Sequence, residues 1–147
     1  MKYTLEVELE HTRERVIELF DSVENLPHWQ AGLISFEPIE GSPGQVGAKS
    51  LMKFKMGKRT MEIVETITER DLPRRFSGTY TAKGMWNLVE NEFEELPGGR
   101  TLWKSHNEFR GENLLMKVML LLMPGAFRKQ SLKYMVAFKD FAENQPA

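Results

Sequence analysis

Ser50, Glu65, Tyr80, Asn87, Asn91, Ser105 and Asn107 are the polar residues with which this sequence could hold or transform a small molecule, because strand alternation turns them to the same side as apolar neighbours. Glu65 is the candidate catalytic residue. A carboxyl enclosed by apolar groups loses hydration in its charged form, so its pKa rises; it then suits proton transfer, or anchoring a ligand hydroxyl. A structural role competes, with Glu65 bonded to Ser50 or Asn107, or reaching a cavity mouth. Buried amides and carboxyls without hydrogen bonds are costly, so seven inward polar groups imply partners among themselves, in water or in a ligand. Other chemistries find little support. The chain has no cysteine, which excludes disulfides, thiolate zinc sites and a cysteine nucleophile. His11, His28 and His106 are scattered, so no metal site is expected. Gly41, Gly44 and Gly47 have no helix N-terminus after them and read as a turn, not a phosphate cradle. No serine stands in the strand–turn–helix setting of a nucleophile elbow, and no cofactor is expected.

Turns decide which way these residues point. A two-residue turn at Gly57-Lys58 places Met56 opposite Arg59, Phe54 opposite Met61, Met52 opposite Ile63 and Ser50 opposite Glu65, all on the interior face. A two-residue turn at Lys83-Gly84 places Phe76, Gly78, Tyr80 and Ala82 opposite Asn91, Val89, Asn87 and Met85. In the last strand Lys104, His106, Glu108 and Arg110 share the wet side, which leaves Trp103, Ser105, Asn107 and Phe109 inside. A one-residue bulge would reverse part of this assignment and send the asparagines to solvent. Met52, Met56, Met61, Met85, Met116, Met119 and Met123 suit either a malleable pocket wall or ordinary core filling.

Further elements must frame these hairpins. Tyr3, Leu5, Val7 and Leu9 alternate as one face of a first strand. From Thr12, an N-cap, the apolar residues Val16, Ile17, Leu19 and Phe20 recur at helical spacing, and Asp21-Ser22 opens a second short helix that Pro27 interrupts. Leu33 to Phe109 reads as six more strands separated by Gly- and Pro-containing turns. A helical pattern returns from about Glu112 to Glu143. Its apolar stripe is Phe127, Tyr134, Met135, Phe138 and Phe141, with a kink or break at Pro124-Gly125. Met116 to Met123 is apolar except for Lys117, so one face packs inward and the rest requires a cover. The candidates are a homodimer partner, a membrane surface, the two short N-terminal helices or neighbouring loops.

The 147 residues suffice for one core, and residues 1–147 read as a single domain. Twenty basic residues against 21 acidic ones give no global attraction to nucleic acid, which is not an expected partner. Leu114 to Phe127 is too short to span a bilayer, and the alternating N-terminal segment lacks a signal-peptide core, so a cytoplasmic location is expected.

The element order, with the phrases Val16-Ile17-Glu18-Leu19-Phe20-Asp21, Leu26-Pro27-His28-Trp29, Glu69-Arg70-Asp71-Leu72-Pro73-Arg74-Arg75-Phe76 and Gly98-Gly99-Arg100-Thr101, resembles the SRPBCC (START-like) superfamily. Its members include the birch-pollen allergen, steroidogenic lipid-transfer domains and polyketide cyclase/dehydrase-like proteins. The resemblance implies an α+β helix-grip fold, a curved seven-stranded antiparallel sheet around a long C-terminal helix with two short helices between strands one and two. It also implies an internal cavity for a hydrophobic or amphipathic small molecule such as a lipid, isoprenoid or aromatic metabolite. The expected lining combines Ser50, Met52, Phe54, Met61, Ile63, Glu65, Phe76, Tyr80, Asn87 and Val89 with Asn91, Trp103, Ser105 and Asn107. Met116, Leu120, Met123 and Phe127 complete it from the helix. Two alternatives to a simple binder stand. One is an enzyme similar to the polyketide cyclase/dehydrase branch, in which Glu65, Tyr80 or an asparagine moves a proton or binds an enolate oxygen. The other is an interaction module using Met116 to Met123.

Overall fold

In the computed structural model, which describes residues 1–147, the alternating segments form one curved antiparallel sheet. Its strands are β1 (Lys2–Leu9), β2 (Leu33–Glu40), β3 (Lys49–Met56), β4 (Arg59–Asp71), β5 (Arg75–Ala82), β6 (Met85–Leu96) and β7 (Arg100–Gly111). The order is β1-β7-β6-β5-β4-β3-β2, so β2 to β7 form a meander and β1 joins it beside β7. Both hairpins have the register expected from their turns. Ser50 faces Glu65 and Phe54 faces Met61 across β3–β4, while Phe76 faces Asn91 and Tyr80 faces Asn87 across β5–β6. Gly57 has φ 63°, the left-handed value that a II′ turn requires at its first central residue.

A bulge does occur, and it spares the interior a carboxylate. β4 pairs Ile67 with Gly78 and then skips to Glu69 opposite Ser77, leaving Thr68 unpaired. Strict alternation from Met61 would have pointed Glu69 inward. The extra residue turns it outward, where it accepts bonds from Arg75 Nε and Ser77 Oγ, each at 3.2 Å. Arg70 consequently reaches Asp21 with two hydrogen bonds of 3.1 and 2.7 Å, tying this strand end to the first helix.

That helix, α1 (Arg13–Phe20), begins where Thr12 Oγ1 accepts from Arg15 N at 3.3 Å. A 3₁₀ turn (Val23–Asn25) leads into α2 (Leu26–Trp29). Pro27 does not interrupt this second helix. It occupies the first turn, where a missing N–H breaks no helical bond and the fixed φ suits the helix. The C-terminal helical region is two helices, α3 (Leu114–Leu122) and α4 (Pro124–Glu143), divided at Met123-Pro124 because proline cannot supply the N–H that would continue α3. Asn113 Oδ1 caps α3 by accepting from Met116 N at 2.9 Å. α4 lies against β1 and α2, and α3 lies against β7.

The packed core occupies one end of this grip. Leu5, Leu9, Val16, Leu19, Trp29, Phe93, Trp103, Met135, Phe138 and Ala142 form a single buried cluster. Phe20 sits edge-on to Phe93, Trp103 and Phe138 at centroid distances of 5.1, 5.6 and 5.9 Å, a favoured geometry for aromatic quadrupoles.

Candidate functional site

Beyond that cluster, toward α3 and the β5–β6 turn, the inner face of the sheet is less completely covered. Met61, Ile63, Glu65, Tyr80, Asn87, Val89 and Phe109 point inward by register yet remain only half-buried. One row crosses the sheet here. Ser50 stands opposite Glu65, Glu65 opposite Tyr80, Tyr80 opposite Asn87 and Asn87 opposite Phe109.

Within this row Tyr80 Oη donates to Glu65 Oε2 at 2.8 Å. The partner of Glu65 is therefore neither Ser50 nor Asn107 but the residue directly across the strand pair. Burial raises the Glu65 pKa, and the Tyr80 hydrogen bond offsets part of that rise by favouring the carboxylate. Tyr80 is pushed well above its ordinary value by burial, then by the adjacent Glu65 charge and the bond to it, so it remains a hydrogen-bond donor. The pair thus offers a carboxyl whose second oxygen makes no bond within the protein, held by a phenol whose proton is committed.

The other inward polar residues are largely satisfied internally. Trp103 Nε1 donates to Asn91 Oδ1 at 2.9 Å, inside the packed end. Asn107 Nδ2 donates to Ser105 Oγ at 3.0 Å, and Asn87 Nδ2 to the Glu108 carbonyl at 3.0 Å. Asn91, Ser105, Asn107 and Trp103 are buried, as are Ser50, Met52 and Phe54. Phe76 is half-buried at the packed end, edge-on to Phe20 at 5.9 Å. The candidate residues therefore divide: the Glu65–Tyr80 pair with Met61, Ile63, Asn87 and Val89 faces the less-covered half, while Asn91, Trp103 and Phe76 belong to the packed half.

Helices α3 and α4 frame the less-covered half. Met116 and Leu120 are half-buried, Met123 is exposed at 52%, and Phe127 packs on Phe109 with centroids 5.1 Å apart. Tyr3 stacks on Phe109 at 6.0 Å and donates its hydroxyl to the Phe127 carbonyl at 3.1 Å, fixing the start of α4 over β1 and β7. The sequence reading missed this tie, although Tyr3 has the inward parity of Leu5. Gly111 allows α3 its position. A Cβ there would lie 2.6 Å from Lys117 N and 2.8 Å from Met116 C, both backbone atoms.

Two concave regions lie on the outer side of the sheet and contain neither Glu65 nor Tyr80. One, of about 410 Å³, is bordered by Lys2, Thr4, Glu90, His106 and Glu108. The other, of about 660 Å³, is bordered by Arg13, Glu69, Arg74, Arg75 and Glu92. The second is walled mostly by ion-paired charges, as at Arg75–Glu69 and Arg75–Glu92, and the first by polar and charged side chains, which suits solvated surface better than an apolar guest.

No protein-family model and no curated protein sequence matches the chain. Solved structures do. Ara h 8.0201 superposes with a TM-score of 0.78 at 15% identity, over 99% of each chain. The Zhui aromatase/cyclase from Streptomyces sp. R1128 gives 0.78 at 13% identity, covering 97% of this chain and 93% of that one. Norcoclaurine synthase from Thalictrum flavum gives 0.71 at 15% identity, over 99% and 87%. With the seven-stranded curved sheet, the two short helices after β1 and the long C-terminal helix already in place, these likenesses show that the chain has the helix-grip fold.

Proposed function

We propose that this protein binds a hydrophobic or amphipathic small molecule, of the lipid, isoprenoid or aromatic class, against the inner face of its sheet, with Glu65, held by Tyr80, anchoring the ligand's polar group. The observation that carries this reading is the half-buried Glu65–Tyr80 pair among inward apolar residues, on the part of the sheet that the core cluster leaves free. Apolar walls with a few convergent polar groups are the usual make-up of a small-molecule site. Met61, Ile63, Val89, Phe109 and Phe127 supply the apolar contact, and the free oxygen of Glu65 supplies the polar one. Residues 1–147 act as one ligand-binding unit in this reading.

The test is native mass spectrometry of gently purified protein, then denaturation and identification of any released molecule. A co-purifying apolar compound that Glu65→Gln retains more weakly is the expected result. If lipids, isoprenoids and aromatic compounds neither co-purify nor perturb tryptophan fluorescence on titration, the reading is wrong.

A second reading, an enzyme of the cyclase or dehydratase kind, is favoured by the raised Glu65 pKa. A carboxyl shifted toward neutrality, with one oxygen free, suits proton transfer to or from a bound carbonyl compound. The aromatase/cyclase among the structural neighbours makes a substrate that cyclises to an aromatic ring the first class to assay. Turnover abolished by Glu65→Gln in a folded protein that still binds ligand would favour this reading over the first.

A further inference from the structure

Helix α3 is apolar on two opposite faces. Met116, Met119 and Leu120 turn toward β7 and are half-buried, whereas Leu114, Leu115, Val118, Leu121 and Leu122 recur at helical spacing on the other side and are exposed. Leu114, Leu121 and Leu122 are exposed at 77%, 79% and 72%, so neither loops nor the N-terminal helices cover this face. A stripe of five large apolar side chains on one surface helix requires an occupant.

Charge selects among occupants. Residues 113–138 contain Lys117, Arg128, Lys129 and Lys133 and no aspartate or glutamate, within a chain whose net charge is −1. All four cations are exposed. Sheet register brings further cations to the same end of the molecule, because the turns after β3 and β5 project beside Gly111, from which α3 starts. Exposed Lys55, Lys58, Arg59 and Lys83 at those turns are opposed only by Glu62 and Glu112. A two-fold dimer through this face would bring the cations of both copies together and meet repulsion. Exposed leucines bordered by Lys and Arg suit an interface with hydrocarbon below and anionic headgroups beside it. No helix is long and apolar enough to cross a membrane, so such contact lies in the plane of the surface.

We propose that α3 docks the protein on an anionic lipid surface, with Leu114, Leu115, Val118, Leu121 and Leu122 entering the headgroup–acyl boundary and Lys117, Arg128 and Lys129 contacting the anionic headgroups. Docking through α3 turns the rim of the inner face toward the bilayer. The proposal stands independently of which molecule the interior binds.

The experiment is co-sedimentation of the full chain with vesicles of phosphatidylcholine alone and of phosphatidylcholine mixed with phosphatidylglycerol. Binding to the anionic vesicles, weakened by added salt, is expected. Each cation near such a surface contributes about fivefold to partitioning. Arg128→Glu with Lys129→Glu therefore lowers binding by roughly tenfold or more, and Leu121→Asp with Leu122→Asp abolishes it, while circular dichroism is unchanged in both. Absence of binding to anionic vesicles overturns the proposal, as does equal, salt-insensitive binding to both vesicle types. A concentration-dependent dimer in sedimentation equilibrium that Leu121→Asp with Leu122→Asp dissolves assigns the face to a second copy instead.

Discussion

Glu65 is the carboxyl of the proposed site, and its titration is measurable without knowing any ligand. Its pKa in the folded protein is raised above the ordinary 4.5 because burial disfavours the charged form. Between 4.5 and the raised value the folded state holds a proton that the unfolded chain has released, so unfolding free energy falls as pH rises through that window. Below 4.5 both states are protonated and the penalty is absent. Glu65→Gln removes the titration. Its stability relative to the parent is expected to increase with pH across this window, as read by urea unfolding at a series of pH values. A difference that stays flat with pH would show that Glu65 is not desolvated. Tyr80→Phe deletes the donor and leaves the carboxylate without its hydrogen bond, at about 1–3 kcal/mol. The parent–variant difference should be larger above the window than below it, where the carboxyl is protonated in both states.

At the level of elements, the site depends on how closely α3 and α4 approach the sheet. At Gly111 the sheet meets helix backbone, since a Cβ there would stand 2.6 Å from Lys117 N. Backbone cannot yield as a flexible side chain can, so Gly111→Ala is expected to displace α3 from β7, with a loss of about 1–3 kcal/mol typical of overpacking. The measurement is urea unfolding, paired with amide exchange over residues 114–122, where protection should fall first. The β4 bulge is the other decisive element. It separates Glu65, which stays inside, from Glu69, which is turned to Arg75. Its Arg70–Asp21 pair is part-exposed, so its contribution is small despite two good bonds.

For the molecule as a whole, the packed end carries the core cluster, and the proposed binding site lies at the less-covered end. Phe138 is completely buried and lies 5.3 Å from the Trp29 ring and 5.4 Å from the Trp103 ring, so Phe138→Ala is expected to cost about 3–5 kcal/mol. A site at the other end should retain its ligand affinity wherever that variant is still folded, as checked by titration below its unfolding transition. Occupation of the interior should raise the melting temperature in a concentration-dependent way, by the equivalent of about 2.7 kcal/mol at a hundred times Kd.

Local physics wrote much of this into the sequence. Two-residue turns leave no freedom in a hairpin, so the pairings Ser50 with Glu65 and Tyr80 with Asn87 followed from Gly57-Lys58 and Lys83-Gly84 alone. Thr12 as a cap and Pro124 as a helix break were equally local. What joins separate hairpins was not local. The Glu65–Tyr80 bond lies across β4 and β5, whose connection runs through the Thr68 bulge, and a bulge leaves no fixed signature in residue types. The uncovered face of α3 was also a tertiary outcome: apolarity on every side of the segment left open which side packs inward, and only the packing of α3 on β7 decided that Leu114, Leu115, Val118, Leu121 and Leu122 are the exposed ones.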